Sequence, residues 1–250
     1  MYRAFIKPLA ADVKNFILDT LFPISCLACD GQGFFVCPDC KSTMKILEHQ
    51  RCIICQMPAP FGITHPKCLT PHGADQLISY YDYHDKKIAQ IIIKGKYSFI
   101  PNAFKELGIM LAQKIKNEHS YLLQATTYNL IPIPLHSSRK RWRGFNQAEI
   151  LCEALSKELN LPVADVLQRS KITKTQKDLN KEQRSKNVKD AFTVSPSPFN
   201  GRAGERLQIH ANNFILVDDV TTTGSTLQQA AKTLKQNGAT KVICLTVARD

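Results

Sequence analysis

A hydroxyl-rich stretch directly after an apolar run carries the clearest chemistry in this sequence. Residues Phe214–Val217 are consecutively apolar, which is typical of a parallel strand buried on both faces. Asp218 and Asp219 follow, and then Val220–Thr226, which contains four threonines, one serine and one glycine. Backbone N–H groups in such a turn, the hydroxyls, and the positive end of the helix predicted to follow can together form a nest for an anion.

The two carboxylates need a different partner, because they would repel a phosphate. Carboxylate oxygens accept hydrogen bonds, so vicinal ribose hydroxyls or a Mg²⁺ ion are their natural ligands. An anion nest directly after two such acceptors predicts a ribose 5-phosphate site. The predicted binding residues are Asp218, Asp219, Val220, Thr221, Thr222, Thr223, Gly224, Ser225 and Thr226. The alternative is an aspartate N-cap before a threonine-rich helix, and the length of the string weighs against it.

Basic residues earlier in the chain suit a pyrophosphate or the backbone of a nucleic acid. Four cations occupy the five positions of Arg139–Arg143, and Trp142 or Phe145 could stack a base. Lys96 is a further candidate phosphate contact. The cationic candidates are Lys96, Arg139, Lys140, Arg141 and Arg143. A solvated basic turn is the simpler alternative for this segment.

A second basic segment has almost no apolar content. Residues 171–189 hold seven Lys or Arg residues and two acids. Such a segment cannot pack into a core, so we predict a mobile loop over 171–190. It could contact the ligand or grip single-stranded DNA, and the sequence does not separate these uses.

Cysteines near the start of the chain predict metal binding. Seven of the nine lie between Cys26 and Cys68, and six of these form C-x-x-C pairs. Since no secretory leader is evident, zinc is favoured over disulfides, and two-residue spacing lets both thiolates of a pair reach one ion. The predicted ligands are Cys26, Cys29, Cys37 and Cys40 for one Zn²⁺, and Cys52, Cys55, His65 and Cys68 for another. His72 is a rival to His65, and a single zinc with spare thiols is an alternative.

The chain as a whole predicts an α/β fold with small additions. It has 250 residues, 44% of them hydrophobic, and a formal charge of +12 that favours acidic partners such as nucleic acid. We predict an amphipathic helix over 1–22, a zinc module over 23–73 and an α/β domain over 75–250. Strands alternate with helices in the last part, which implies a mostly parallel sheet. The predicted strands include Tyr128–Pro134, Phe214–Val217 and Val242–Val247, and the helices Gln147–Asn160 and Thr226–Asn237.

The predicted location is the cytoplasm. Met1–Leu21 has scattered charges, and no apolar run approaches the roughly 20 residues that a membrane span requires. We therefore expect no membrane span.

The string Val217–Thr226 resembles the phosphoribosyl pyrophosphate (PRPP) signature of type I phosphoribosyltransferases. The segments Ile131–Leu135, Arg143–Gln147 and Thr175–Phe192 follow a double C-x-x-C region, and this order resembles the ComF family of competence proteins. The resemblance implies ribose contacts from Asp218 and Asp219, 5-phosphate contacts from Thr221 to Thr226, and Mg²⁺ carried with PRPP. It also implies a double zinc ribbon, pyrophosphate near Leu135 and His136, and a hood over 171–190 with contacts from Gln176, Arg184 and Asn187.

Two departures from the family patterns bear on function. The fourth zinc pair is usually two cysteines, whereas this chain has His65 and Cys68. The type I signature usually places an acid inside the phosphate loop, whereas Val220–Thr226 contains none. A dedicated general base for nucleobase transfer is therefore not evident.

Three functions are compatible with these residues. The resemblance implies a competence protein for DNA uptake in natural transformation, which binds PRPP and single-stranded DNA and works with other competence proteins such as a helicase or a DNA-processing protein. An active phosphoribosyltransferase with an unknown acceptor is the second. A PRPP-sensing regulator without catalysis is the third.

Overall fold

A computed structural model of the chain describes residues 24–123, 128–170, 191–200 and 212–250, with only the backbone of 196–200. The helix predicted over 1–22 and the loop predicted over 171–190 lie outside the described residues. The same holds for Gln176, Arg184 and Asn187.

The described residues alternate strands and helices, as the sequence predicted. The strands are β1 (Gln76–Asp82), β2 (Tyr128–Pro132), β3 (Ala164–Arg169), β4 (Phe192–Asn200), β5 (Asn213–Thr221) and β6 (Lys241–Arg249). The helices are α1 (Pro38–Thr43), α2 (Lys86–Tyr97), α3 (Pro101–Glu118), α4 (Ser137–Arg143), α5 (Gln147–Leu159) and α6 (Ser225–Gln236). Short 3₁₀ turns occur at Pro60–Gly62 and Ser120–Leu123.

Four of the strands form a parallel sheet in the order β1-β6-β5-β2. The predicted α/β class with a mostly parallel sheet is thus confirmed. Strands β3 and β4 form a separate antiparallel pair. Because all four strands of the main sheet run the same way, their carboxyl ends meet at one edge, where ligands bind in open sheets.

Both faces of the parallel sheet are covered, which explains its continuous apolar strands. On β5, Ile215 and Val217 point into one buried cluster, which includes residues of α2, α3 and α5. Phe214 and Leu216 point into a second cluster, which includes residues of α6, β3 and β4. Successive side chains of a strand face opposite sides, so each must find an apolar layer.

Strand β5 extends further than its apolar run predicted. The run ends at Val217, but β5 continues to Thr221 because Val220 and Thr221 still pair with Ala248 and Arg249 of β6. The acidic pair therefore lies within the end of a strand, and its backbone is fixed by the sheet.

Among the described residues, none of the helices combines the length and apolar character needed to cross a membrane.

Candidate functional site

A cavity of about 530 Å³ opens at the carboxyl end of β5. It brings the predicted acidic pair and the whole predicted phosphate loop together with residues of α2, α4 and β3. Its lining includes Tyr83, Lys96, Tyr97, Leu135, Arg139, Trp142, Arg143, Gln147, Arg169, Asp250 and every residue from Asp218 to Leu227.

The phosphate loop is a tight turn between β5 and α6. Gly224 precedes the first residue of α6 with φ of +75°, a left-handed conformation that glycine adopts without strain. The hydroxyls of Thr223 and Ser225 are 2.8 Å apart, and the Ser225 N–H donates to Thr223 Oγ1 at 3.4 Å. Because Ser225, Thr226 and Leu227 line the cavity, the positive end of α6 faces it.

The acidic pair occupies the cavity wall, and a lysine neutralises part of its charge. Asp219 is buried and forms an ion pair with Lys96 of α2. Half-buried Asp218 accepts a hydrogen bond from the Asp219 N–H at 2.9 Å. Desolvation by the surrounding protein, with the neighbouring carboxylate of Asp219, raises the pKa of Asp218 well above its ordinary range. Lys96, predicted as a phosphate contact, thus lies at the site but is bonded to an acid.

The segment Arg143–Gln147 builds a buried guanidinium into the cavity. Arg143 ends α4, and its Nη1 donates to Gln147 Oε1 at 2.7 Å while the guanidinium lies 5.9 Å from the ring centre of Tyr97. Gly144 reverses the chain with φ of +78°. Asn146 then caps α5 through the Ala148 N–H and donates to the Ile133 carbonyl at 3.1 Å. Gln147 thus fixes the guanidinium of Arg143 directly, while Gly144 and Asn146 set the turn and the helix start that place Gln147. Burial lowers the pKa of Arg143.

The other predicted cations divide into two groups. Arg139 lines the cavity beside Arg143. Lys140 instead pairs with Glu149 at 2.7 Å, and Arg141 is exposed and does not line the cavity.

The loop after β2 contributes two apolar residues to the cavity. Ile133 and Leu135 line it. His136 caps α4, where its Nδ1 accepts from the Ser138 N–H at 3.2 Å and lies 2.8 Å from Ser138 Oγ. His136 thus shapes the start of α4, at the cavity's edge, rather than lining the cavity itself.

Sequence reasoning missed four polar residues of this cavity. Tyr83 and Asp250 directly follow β1 and β6, whose carboxyl ends parallel topology places near that of β5, while Arg169 ends β3 of the antiparallel pair. Tyr97 ends α2 directly after Lys96. Arg169 packs its guanidinium 5.5 Å from the ring centre of Phe192. Polar residues at strand ends were the available signal, but the strand order needed to use it is not readable from sequence.

The eight predicted metal ligands form two separate groups. Cys26, Cys29, Cys37 and Cys40 make one, and Cys52, Cys55, His65 and Cys68 make the other. Within each group the ligand atoms lie within 4.8 Å of one another. Four soft donors at this spacing, with thiolates dominating, fit one tetrahedral Zn²⁺ per group.

His65 belongs to the second group despite its departure from a pure cysteine pattern. Its Nδ1 lies 3.3 Å from Cys55 Sγ, and its Nε2 lies 3.0 Å from the carbonyl oxygen of Pro58. A ring that donates one N–H to a carbonyl holds the other nitrogen free for a metal, so the contact with Pro58 orients His65 as a ligand. His72, the alternative, is not in the group.

The second metal group lies against the phosphate loop. A Cβ atom on Gly224 would come within 2.7 Å of Ile53 Cγ1, so the loop and the Cys52–Cys55 turn are in direct contact. The Gln56 side chain donates to the carbonyls of Ile53 and Thr223 at 3.0 and 3.5 Å. Arg249 of β6 donates to the Arg51 carbonyl at 2.8 Å and contacts Gln56. The metal-binding module is therefore part of the wall behind the loop.

Comparisons with known proteins match both halves of this arrangement. Residues 17–69 match the double zinc ribbon domain, and residues 146–250 match the phosphoribosyl transferase domain. Competence protein F of Haemophilus influenzae is 27% identical over 86% of this chain and 97% of its own length. The predicted resemblance to the ComF family of competence proteins is thus confirmed. The ComF arrangement explains why zinc ligands and a phosphate loop occur together in one chain.

Further ComF relatives carry related names. Competence protein ComFC of Bacillus subtilis is 28% identical over 90% of this chain and 95% of its own length. The DNA utilization protein YhgH of Escherichia coli strain K12 is 28% identical over 83% and 86%. A solved hypoxanthine phosphoribosyltransferase of Staphylococcus aureus matches at 11% identity and a TM-score of 0.35, over 58% of this chain and 65% of that chain, less than two thirds.

Proposed function

We propose that this protein binds PRPP with Mg²⁺ in the cavity after β5 and holds single-stranded DNA at the basic rim of that cavity. In this proposal it acts in the cytoplasm on DNA taken up during natural transformation. The observation that carries it is the convergence of the acidic pair, the phosphate loop and the buried guanidinium of Arg143 on one cavity. The acidic pair offers hydrogen-bond acceptors for a sugar, the loop offers a nest for one phosphate group, and Arg143 offers a positive charge for further phosphate groups.

Each part of PRPP has a chemically matched group in the cavity. The carboxylates of Asp218 and Asp219 accept from the ribose hydroxyls, while Thr222–Thr226 and the start of α6 donate to the 5-phosphate. Arg143 and Arg139 face the pyrophosphate. A bound Mg²⁺ would screen charge between the pyrophosphate and the acidic pair, and its usual oxygen ligands fit these carboxylates.

Two observations support DNA binding: the names of the relatives and the excess of basic residues in the chain. Relatives are called competence and DNA utilization proteins. The chain carries 33 Lys and Arg residues against 21 acids. Three arginines occur on α4, of which Arg139 and Arg143 line the cavity and Arg141 is exposed outside it. Arginine side chains at this density suit a phosphate backbone, with binding that weakens as salt rises. The other competence proteins, such as a helicase or a DNA-processing protein, are the proposed protein partners.

Calorimetry with PRPP and Mg²⁺ tests the small-molecule part directly. The wild-type protein is expected to bind, and Asp218→Ala/Asp219→Ala to lose binding because the ribose and the metal lose their acceptors. Glu153→Ala, which removes an exposed acid from α5, is the matched control and should bind like wild type. No binding by the wild-type protein would refute the PRPP site.

The same variants connect the site to the biology. A transformation assay in a naturally competent host should show a loss of transformants for Asp218→Ala/Asp219→Ala and normal numbers for Glu153→Ala.

DNA binding is tested separately by titrating the protein with a labelled single strand at several salt concentrations. The variant Arg139→Gln/Arg141→Gln/Arg143→Gln is expected to reduce both the affinity for the strand and its salt dependence. Unchanged salt dependence in that variant would remove α4 from the DNA surface.

A catalytic transferase is the second candidate, and one observation favours it. The cavity lining contains a third carboxylate, Asp250, whose Oδ1 lies 3.5 Å from His84 Nε2. The Asp250 N–H donates to the Thr221 carbonyl at 2.9 Å, so this carboxylate stands beside the start of the phosphate loop, where it could accept a proton from an incoming nucleophile. Release of pyrophosphate from PRPP in the presence of candidate acceptors, reduced in Asp250→Asn, would support turnover. Binding of PRPP without any release of pyrophosphate would refute the catalytic function and retain only PRPP binding.

A further inference from the structure

We propose that Tyr97, Phe99 and Trp142 form a stacking platform for an unpaired base of a nucleic-acid single strand at the mouth of the cavity. The platform is an aromatic cluster of these three rings. The proposal rests on the proposed function, because it states where on the protein a bound strand places one of its bases.

The Trp142 ring packs against both Tyr97 and Phe99, and all three rings remain open to solvent. The ring centre of Trp142 lies 5.3 Å from that of Phe99 and 6.1 Å from that of Tyr97. Their exposed fractions are 57% for Trp142, 48% for Phe99 and 45% for Tyr97. Other large apolar side chains such as Phe34 and Phe61 are exposed as well, but these three rings form one contiguous aromatic patch around Trp142, and contiguous patches mark binding sites.

The backbone holds one of these rings outward at a cost. Phe99 has φ of +57°, a left-handed conformation that is rare for a bulky residue. It lies in the two-residue turn between Tyr97 and Ile100, where the Ser98 and Ile100 N–H groups donate to the carbonyls of Lys94 and Gly95 at 2.8 and 3.1 Å. Strained backbone that is fixed by its neighbours is concentrated at functional positions.

Charge around the platform indicates the kind of ligand. Two of the rings, Tyr97 and Trp142, line the same cavity as Arg139 and Arg143, and Arg143 lies over the face of Tyr97. Exposed aromatic rings next to several cations match a base attached to a phosphate backbone. Aromatic rings and cations in alternation are the usual means by which proteins bind single strands without sequence preference.

The open position of the platform favours a strand over a free base. A free nucleobase is held by enclosure and polar contacts on several edges, whereas these rings are about half-exposed and offer a face only. A strand gains the rest of its affinity from its phosphates, so an open stacking surface suffices. Phe145 does not take part, since it is partly buried and packs 6.0 Å from Phe104.

The chain reports on this contact without a label, because Trp142 is its single tryptophan. Titration with a short oligothymidylate should quench tryptophan fluorescence as a base stacks on the indole. An abasic oligonucleotide with the same number of phosphates should bind more weakly and leave the fluorescence nearly unchanged. Equal affinity and no quenching for both strands would overturn the platform while leaving salt-dependent DNA binding intact. Binding of neither strand would refute DNA binding itself.

Two variants separate stacking from folding. Trp142→Leu and Phe99→Leu should each weaken binding of labelled oligothymidylate about 5- to 100-fold and remove its advantage over the abasic strand. Phe34→Leu is the matched control, because Phe34 is also 48% exposed but lies between Cys29 and Cys37 in the chain and does not line the cavity. Equal losses in Phe34→Leu and Phe99→Leu would contradict the proposal, as would quenching by free thymidine at the concentrations at which the oligonucleotide saturates.

Discussion

At the scale of single residues, Arg143 shows how a motif can exist to hold one side chain. Gly144 turns the chain, Asn146 caps the next helix, and Gln147 accepts the hydrogen bond that fixes the guanidinium. A buried cation next to an acidic pair needs such support, because desolvation alone would disfavour it. The guanidinium is therefore held in place before a ligand binds, as the proposed pyrophosphate contact requires.

This preorganisation predicts different outcomes for two arginines on one helix. Arg143→Gln should lower PRPP affinity at least tenfold, since hydrogen bonds to charged groups contribute about 1.5–3 kcal/mol. Arg141→Gln, which removes an exposed guanidinium two residues earlier, should change PRPP affinity by less than about twofold because that side chain is outside the cavity. Calorimetry on both variants measures the difference, and equal losses would mean that net charge, not position, governs binding.

The raised pKa of Asp218 should make PRPP affinity depend on pH. Its pKa is raised because desolvation and the charge of Asp219 disfavour the ionised form, so the free protein holds a proton there at pH values where an ordinary aspartate is ionised. Binding of Mg²⁺ favours the ionised form and must release that proton. PRPP affinity should therefore rise as pH increases towards about 8 and then level off.

Proton release can be measured by calorimetry in buffers with different ionisation enthalpies. The wild-type protein should release protons on binding below about pH 8, and Asp218→Asn should release fewer and bind more weakly. Since PRPP itself also titrates, the comparison between the two proteins at one pH is the informative quantity. Identical proton release would show that Asp218 is already ionised in the free protein.

At the scale of elements, the phosphate loop is held from behind by the Cys52–Cys55 turn. The contact between Ile53 and Gly224 is so close that even a Cβ atom at position 224 would force Ile53 to move. The hydrogen bonds of Gln56 and Arg249 attach the same turn to Thr223 and to the end of β6. Loop shape thus depends on an element more than 160 residues away in sequence.

A comparison of two glycines with similar backbone conformation measures the effect of this contact separately from backbone strain. Gly224 has φ of +75° and Gly144 has φ of +78°, but only Gly224 has a neighbour within 4 Å of an added Cβ. Gly144→Ala should cost about 1–2 kcal/mol of stability from the left-handed conformation. Gly224→Ala should cost about 1–3 kcal/mol more from overpacking and should also weaken PRPP binding. Urea unfolding and calorimetry on both variants check this, and equal destabilisation would show that the turn moves aside freely.

At the scale of the whole molecule, the two metal groups support different faces of the sheet. Cys26, Leu27, Val36 and Met44, in and around the first group, are buried with the helices α2 and α3. Ile53 of the second group is buried with α6 on the other face. Lys41 adds an ion pair to Glu106 of α3 at 2.8 Å. The zinc-binding module therefore wraps one end of the sheet instead of standing apart from it.

This wrapping marks the limit of what the sequence could predict. Local patterns predicted the phosphate loop from Asp218 to Thr226, the zinc ligands and the main strands, because each depends on residues close in sequence. The contacts of Ile53 with Gly224 and of Lys96 with Asp219 depend on strand order and on the packing of distant segments. The extension of β5 to Thr221 likewise depends on its partner β6. These long-range contacts leave no pattern in the local sequence from which they could be predicted.

The different positions of the two metal groups lead to a selective effect of losing one zinc ion. Cys29 and Cys55 are both exposed ligands, one in each group. Cys55→Ser should release its zinc, loosen the turn that contains Ile53, and weaken PRPP binding, because the wall behind the phosphate loop is lost. Cys29→Ser should lower the urea midpoint by disturbing packing near α2 and α3, with a smaller effect on PRPP affinity. Zinc content, urea unfolding and calorimetry on the folded variants measure the three quantities separately. If both variants lost PRPP affinity in proportion to stability, the second zinc group would have no particular connection to the phosphate loop.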